Sequence, residues 1–488
     1  RAVRDLLCND TLYADGKIDL ATGEVIEAFR VPADGCGPSF AAPGCIVTAF
    51  GGVSTFDGQT LRKADLKPAC DLGVIISDGV AMSPPGVCRC GLPVQGYRAF
   101  THDRRAASLP GTLPSQTGSV RHGADHFDGP AASSPLGKRA MPGDWPTFRG
   151  DNRRSGSTPV TVAGDPPQLR WQWLPPVPNL VTVPNTGYGA KCLDTSEHLP
   201  TQVVTAGDLG FVGDASGVIR ALNLTDGSER WRYYVVSKFF APPTYHYGRI
   251  VAGAADGWVY CLDAADGRLA WRRRISPADR RIMWYGHLAS TWPLSGGVIA
   301  QEGVVYAGAG FQAGYGVHAA ALRVADGTPV WQREDAGGTN VVEGIGSMGG
   351  LTIADGRLWF CSGAIVPGSL DLRTGEPLVI PEVRFAGSPR RGNTIAAVED
   401  QWLLFGGRRL FATIDRWMTG ERGMGFTLAR TRIELEEGEQ VVLGADLIGE
   451  SILAPVFDVE LLVVASEFPG RNGKPVLQAF DRRDLVSQ

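Results

Sequence analysis

Apolar residues along this chain come in short runs cut by turn formers, and long polar–apolar runs of helical period are few. Val203-Val204-Thr205, Arg249-Ile250-Val251-Ala252, Val304-Val305-Tyr306-Ala307, Leu358-Trp359-Phe360, Trp402-Leu403-Leu404-Phe405 and Leu461-Leu462-Val463-Val464 all read as strands. Several are followed by a recurring unit: a small residue, Leu, a polar residue, an apolar one, Asp-Gly or Thr-Gly, then a strand with Trp. The clearest copies run from Ala221 through Gly227 to Trp231, from Cys261 through Gly267 to Trp271, and from Ala321 through Gly327 to Trp331. Weaker copies stand at Leu370–Gly375, Ala479-Phe480-Asp481 and, upstream, Ile18–Gly23.

Asp226, Asp266, Asp326 and Thr374 are spaced 40, 60 and 48 residues apart. Periods of this size, with strands on both sides of each turn, predict one four-stranded sheet per repeat. The Gly supplies a positive φ for a tight turn, and the Asp or Thr before it bonds the turn backbone. The Trp is large enough to fill the gap between neighbouring sheets, with its indole N–H met by backbone. The predicted fold is therefore all-β: a closed β-propeller of four-stranded blades, about eight in number, with seven also possible. Closure removes the sheet edges that otherwise invite aggregation.

Composition agrees. Glycine is high at 64 of 488 residues, with 33 prolines and 12 tryptophans. Apolar residues make up 43% and charged residues 20%, enough for a packed core and without a bias to disorder. Lys and Arg number 47 against 51 Asp and Glu, a net charge of −4 that argues against nucleic acid as a partner. No apolar run approaches the roughly 18 residues needed to span a bilayer as a helix. The sequence begins at Arg1 without Met or a signal-like stretch, so processing or truncation is expected to have removed the true start.

Three segments follow from the pattern: N-terminal blades over 1–100, a Ser/Pro/Gly-rich linker or surface excursion over 101–143, and the main blades over 144–488. In the excursion His122 and His126 lie four apart beside Asp125 and Asp128, but the surrounding glycines disfavour a metal-binding helix and favour a solvated loop. Six of the nine cysteines (Cys8, Cys36, Cys45, Cys70, Cys88 and Cys90) fall in the first 90 residues. Such a cluster predicts disulfides in an oxidising compartment, with free thiols as the alternative. Cys88-Arg-Cys90 has the wrong spacing for a zinc knuckle, and no Cys-x-x-Cys-His haem site is present.

The repeats resemble the quinoprotein-type (PQQ-like) propeller repeat, whose blades carry Ala-x-Asp-x-x-Thr-Gly-x-x-x-Trp. Two copies replace the Asp, by Asn223 and Arg323. Further likeness lies in Asp144-Trp145-Pro146-Thr147-Phe148-Arg149-Gly150 and on through Gly156, in Ala241-Pro242-Pro243-Thr244, in Asp256-Gly257-Trp258 through Leu262, in Ala278–Ile282 and in Ser290–Pro293, and it is similar to extracytoplasmic bacterial PQQ-binding-like repeat proteins. That likeness implies a periplasmic or secreted protein. Quinone-dependent dehydrogenases of this fold hold pyrroloquinoline quinone with Ca²⁺ over the central channel, so the likeness also raises an oxidoreductase reading. This chain has no Cys-Cys pair, which disfavours the alcohol-oxidising subclass, and no Glu/Asn/Asp trio that spacing alone brings together. An outer-membrane assembly factor of the same fold is a third reading.

No Gly-x-Ser-x-Gly elbow, Walker A or dinucleotide fingerprint occurs. Trp284, Tyr285, His287 and Trp292 form an aromatic-rich connection. It is either a stacking platform for a sugar or peptide or an inter-blade packing segment, and the packing habit of Trp favours the second. Arg149, Arg153 and Arg154 either bind an anionic partner or anchor turns, the second again favoured. The reading is thus a non-catalytic extracytoplasmic binding or scaffold propeller without cofactor. It recognises a protein or saccharide through loops on one face, with no catalytic or metal residues assigned.

Overall fold

Every regular element described in the computed structural model is a β-strand. The structure describes residues 6–14, 16–29, 39–42, 44–47, 52–54, 60–63, 75–77, 80–83, 98–101, 125–161, 169–174, 200–284, 287–310, 316–334, 336, 344–361, 367–380, 394–399, 402–406, 426–430, 440–442, 450–451, 456–467 and 475–481. The chain divides into two compact units, Arg1–Arg121 with Met283–Gly286, and His122–Ile282 with His287–Gln488. The boundary between 121 and 122 falls inside the tract 101–143.

The first unit holds β1–β4 (Leu6–Cys8, Thr11–Tyr13, Lys17–Asp19, Val25–Glu27), β5–β8 (Phe40–Ala42, Cys45–Val47, Gly52–Ser54, Thr60–Lys63) and β9–β11 (Ile75–Ser77, Val80–Ser83, Arg98–Thr101), each an antiparallel sheet in chain order. Leu6 and Ile46 are buried together with Tyr13, Phe29 and Ala41 against them. The upstream repeat copy folds as a turn. Gly23 N donates to Asp19 O at 2.8 Å, and hydrogen bonds from Thr22 hold the Asp19 carboxyl below the usual range. Cys45, expected in a disulfide, is a free thiol, as is Cys8. Burial and the neighbouring Cys8 push the Cys45 thiol up. Cys36, Cys70, Cys88 and Cys90 lie outside the described residues.

The second unit begins with β12 (His126–Asp128), then β13–β16 (Val204–Ala206, Leu209–Gly213, Val218–Asn223, Glu229–Tyr234) and β17–β20 (Thr244–His246, Arg249–Gly253, Trp258–Asp263, Leu269–Arg274). After β21 and β22 (Arg281–Trp284, His287–Ser290), whose turn falls at the unit boundary, come β23–β26 (Val298–Gln301, Val304–Ala309, His318–Arg323, Pro329–Arg333) and β27–β30 (Thr352–Ala354, Arg357–Phe360, Gly368–Asp371, Pro377–Val379). The last are β31–β34 (Thr394–Glu399, Trp402–Gly406, Phe426–Arg430, Gln440–Val442) and β35–β38 (Glu450–Ser451, Val456–Phe457, Leu461–Glu467, Pro475–Asp481). The main sheets are antiparallel, and seven across the described chain are four-stranded.

The repeat motif is the joint between sheets. Gly227, Gly267, Gly327 and Gly375 sit at φ near +70°, and their N–H groups donate to Asn223, Asp263, Arg323 and Asp371 carbonyls at 2.8–2.9 Å. The bond uses main-chain oxygen, so Asn223 and Arg323 replace the motif Asp without disturbing the turn. Trp231 Nε1 donates to Ala264 O at 3.0 Å, Trp271 to Val324 O at 2.8 Å and Trp331 to Leu372 O at 3.0 Å. Each indole lies on the turn glycine of the following sheet: a Cβ on Gly267, Gly327 or Gly375 would come within 2.5–2.6 Å of Trp231, Trp271 or Trp331. The core is accordingly a series of inter-sheet clusters, such as Phe211, Trp231, Ile250 and Leu262 between the first two sheets and Val259, Trp271, Val305 and Leu322 between the next two.

Candidate functional site

Residues 125–156 form a strap that runs from the rim of one sheet to the point where six sheets meet. It starts as β12, an added fifth strand whose Phe127 pairs with Arg272 on β20. Here the tract read as a solvated loop supplies sheet structure, because β20 offers an open edge and Arg274 pairs with Asp125. The strap then crosses under its sheet. Arg249, fully buried, bonds the Ala131 and Ser134 carbonyls and Asp263. Gly137 N donates to Tyr247 O at 2.7 Å, and Tyr245 Oη donates to Lys138 O at 3.1 Å.

The strap ends in a hub. Trp145 bridges to Thr205 on β13, and Pro146 O accepts Tyr245 N of β17 at 2.7 Å. Asn152 Nδ2 donates to Ala300 O of β23 at 2.9 Å, and Asn152 O accepts Ile353 N of β27 at 3.2 Å. Arg153 O and Ser155 O accept Ala397 N of β31 and Phe457 N of β36 at 2.8 and 3.0 Å. A dozen residues span at most ~40 Å even when extended. Bonding six strands to so short a segment therefore requires those strands to converge, and they are the inner strands of their sheets. Thr244 Oγ1 donates to Val298 O at 3.1 Å and Thr352 Oγ1 to Ile395 O at 3.1 Å, joining neighbouring inner strands directly.

Arg154 is the centre of the hub and 1% exposed. Its Nε donates to Leu351 O at 2.7 Å, and Nη1 donates to Phe148 O at 2.7 Å and Thr147 Oγ1 at 2.9 Å. Burial, with Arg149 adding repulsion, lowers its pKa to about 9, which still leaves it charged at neutral pH. Arg149 Nε donates to Arg154 O at 2.8 Å; burial lowers its pKa to about 10. Both arginines adopt positive φ, 57° and 63°, a strained state that the surrounding bonds maintain. These guanidiniums face carbonyls, not solvent.

His246 on β17 reaches the next sheet, where Gly303 N donates to its Nε2 at 2.9 Å. Burial, with repulsion from Arg139, lowers its pKa from 6.5 to about 4. A base depressed in the folded state contributes stability that is complete above pH 6.5 and is lost as pH falls toward about 4. Stability is expected to decline over that window, and His246→Gln should flatten this part of a plot of urea midpoint against pH. An identical slope in the two proteins would contradict the assignment.

On the β17–β20 sheet, four connections meet around Ala254–Gly257. Ala255 N donates to Lys238 O at 2.9 Å, Ser290 N to Ala255 O at 2.7 Å, Ile275 N to Gly257 O at 2.9 Å and Leu294 N to Ala254 O at 3.2 Å. Asp256 accepts Tyr260 Oη at 2.6 Å and Trp258 N at 3.1 Å. Burial pushes its carboxyl up, against the pull of those bonds. Lys238 is buried with Nζ 4.4 Å from the Phe240 centroid, and the buried Ser276 Oγ finds no hydrogen-bond partner. Arg272 lies over the Phe127 and Trp258 rings at 4.5 and 5.0 Å. This polar framework fixes loops and offers no nucleophile–base pair. Beyond it Tyr234, Val236 and Leu288 are 62%, 65% and 38% exposed.

Residues 170–402 match the profile of a family described as outer membrane protein assembly factor BamB, a PQQ-type repeat family. The chain carries PQQ-like β-propeller repeats. No significant match was found among curated proteins. Among solved structures it is similar to BamB from Moraxella catarrhalis (16% identity, 56% of this chain and 73% of that one, TM-score 0.36). It is also similar to quinohemoprotein alcohol dehydrogenase from Comamonas testosteroni (13% identity, 69% of this chain and 59% of that one, TM-score 0.42). A europium-containing methanol dehydrogenase gives 11% identity over 70% of this chain and 74% of that one, with a TM-score of 0.40. Superpositions this loose carry no weight on function or blade number.

Within the PQQ-like repeats, Trp292 is half-buried against the inter-sheet core and meets His318 edge-to-face at 5.8 Å. Trp284 and His287 lie in β21 and β22, and Tyr285 lies outside the described residues. Trp284 falls to the first unit and His287 and Trp292 to the second. Sequence reasoning missed Trp171, whose Nε1 donates to Leu224 O at 2.9 Å and whose ring lies on Gly227 as the other motif Trp residues lie on theirs. Its available signal was Leu169-Arg170-Trp171, a strand ending in Trp without an Asp-Gly before it.

Proposed function

We propose that this protein is a non-catalytic extracytoplasmic binding or scaffold propeller that recognises a protein or saccharide through the loops on one face. The observation that carries the reading is the hub. The place where inner strands converge, over which quinone enzymes of the resembling fold hold their cofactor, is filled by the chain's own residues 145–156, whose polar atoms bond the inner strands. Among the described residues no group of three His, Cys, Asp or Glu side chains is placed to hold a metal. With their polar atoms already bonded to strands, the hub residues do not fit pyrroloquinoline quinone with Ca²⁺. Extracytoplasmic placement is supported by the outer-membrane description of the matching family.

Binding then falls to the loops braced around Asp256, with Tyr234, Val236 and Leu288 outward. Rigid scaffolds with exposed loop side chains are the common arrangement for recognition. Two probes test it: hexose and N-acetylhexosamine oligosaccharides, and a permanently unfolded polypeptide (reduced, carboxymethylated lactalbumin), each titrated by calorimetry. Saturable binding to one class, weakened at least tenfold by Tyr234→Ala with Val236→Asp, is expected. Binding unaffected by that pair, or none to either class, would count against this face.

A further inference from the structure

We infer that Arg272 is the anion-binding residue of a saccharide site on the outer strands of the β17–β20 sheet, where it takes the carboxylate of a uronic acid; the assignment rests on the binding reading above and names the chemistry of its ligand. The place of Arg272 in the repeat explains why its charge is left over. It directly follows the joint Trp271 as Arg232 follows Trp231, and Arg272 stands opposite Tyr260 where Arg232 stands opposite Arg220. Arg232 pairs with Glu229, three residues earlier on its own strand. Leu269 holds that place beside Trp271, so the partner is gone.

The added strand does not restore a partner. Asp125, just before β12, pairs with Arg274, and the β12 residue opposite Arg272 is Phe127. Asp256 is occupied as well, its carboxyl accepting Tyr260 Oη and Trp258 N. Among the described residues the Arg272 guanidinium has no hydrogen bond and no ion pair; what it touches is aromatic. It lies 4.5 Å from the Phe127 centroid and 5.0 Å from that of Trp258, and the two rings are 5.8 Å apart. Rings at this range hold a guanidinium by cation–π attraction. The next residue, Arg273, buries its Nε, but no Arg272 nitrogen is so enclosed. Arg154, Arg220 and Arg249 direct their donors to carbonyls or carboxylates inside the fold; Arg272 keeps its fork for something outside it.

The surroundings select the ligand. Burial pushes the Tyr233 and Tyr260 phenols and the Asp256 carboxyl up, and the Arg272 charge opposes all three shifts, so the guanidinium stands among these groups. Tyr233 meets Tyr260 across the gap between β16 and β19 at 6.2 Å. Phe127 is 38% exposed, and Trp258, Tyr233 and Arg272 are half-buried. A few polar groups set among open aromatic surfaces are the usual makings of a small-ligand site. The rings suit the C–H faces of a pyranose, and the fork suits a carboxylate held by two parallel N–H bonds. Nearby cations are already matched, Arg232 by Glu229 and Arg281 by Asp279. A lone fork beside rings fits one carboxylate on a sugar, whereas an acidic peptide calls for several unpaired cations.

Calorimetric titration of the full chain with trigalacturonate and with its methyl ester at low salt tests the site. Saturable binding of the acid is expected, with the ester bound about tenfold more weakly. Arg272→Gln should erase that difference by weakening the acid alone, Arg272→Lys should keep only part of it, and Arg232→Gln should leave it intact. The comparison of acid with ester needs no substitution, and the folding of each variant is checked by its urea midpoint. Equal binding of acid and ester, an acid preference that survives Arg272→Gln in a folded variant, or binding of a polyglutamate peptide in place of the acid sugar would each overturn the site. So would the absence of binding; with the neutral-sugar and unfolded-chain titrations still positive, that result would remove the uronate site and leave the binding reading standing.

Discussion

Arg154→Ala is expected to destabilise the protein by on the order of 4 kcal/mol, more than any other single change in the strap. The side chain is fully buried, and its removal strands Leu351 O, Phe148 O and Thr147 Oγ1 without their donor. A buried acceptor left unmet costs about 1–3 kcal/mol. Because the same segment bonds six inner strands, the loss should also appear as lost cooperativity, one urea transition becoming a broadened or stepwise one. Arg154→Lys keeps the charge but cannot reproduce the fork of donors, so it should recover only part of the stability. A single transition within 1 kcal/mol of the parent would contradict the hub's role.

The second large effect lies at the joints. Trp271→Ala removes a fully buried indole from the contact between the β17–β20 and β23–β26 sheets and is expected to cost about 3–5 kcal/mol. Trp271→Phe retains most of the apolar contact but leaves Val324 O without the indole N–H that now reaches it at 2.8 Å, a loss of about 1–2 kcal/mol. The ordering of parent, Phe and Ala variants in chemical denaturation is the check. If Trp271→Ala matched Trp271→Phe, the ring's burial would not be what holds the joint.

The joints were legible because they are local. A turn glycine, its partner four residues earlier and a following Trp are fixed by spacing, and Gly227, Gly267 and Gly327 all adopt the positive φ that the pattern implies. The strap was less legible because its partners are remote. Arg154 bonds Leu351 and Asn152 bonds Ala300 across most of the second unit, and nothing in the sequence near Arg149 or Arg154 names those carbonyls. The Asp144–Gly156 stretch was singled out as a likeness, yet the burial of its arginines depends on six sheets assembled from the following 300 or so residues. β12 was hidden for a similar reason. His126–Asp128 is flanked by glycine and proline, and its strand state comes from the open edge of β20.

The loop cluster was visible only in outline. The sequence drew attention to Trp284–Trp292, but the groups that brace the nearby loops are Lys238, Asp256 and Ser290, drawn from separate connections. Asp256 entered only as part of the Asp256-Gly257-Trp258 likeness; its bond to Tyr260 Oη, four residues on, is buried by the connections that gather around the turn.

In the proposed reading the hub fills the place where the inner strands converge, leaving a binding propeller without the quinone. A thermal-shift titration of the purified protein with pyrroloquinoline quinone, with and without Ca²⁺, tests it most directly. Any ligand that binds the folded state must raise the midpoint by mass action. No saturable shift under either condition is expected. A saturable, Ca²⁺-dependent rise would contradict the account and make the protein a quinone enzyme whose hub moves aside.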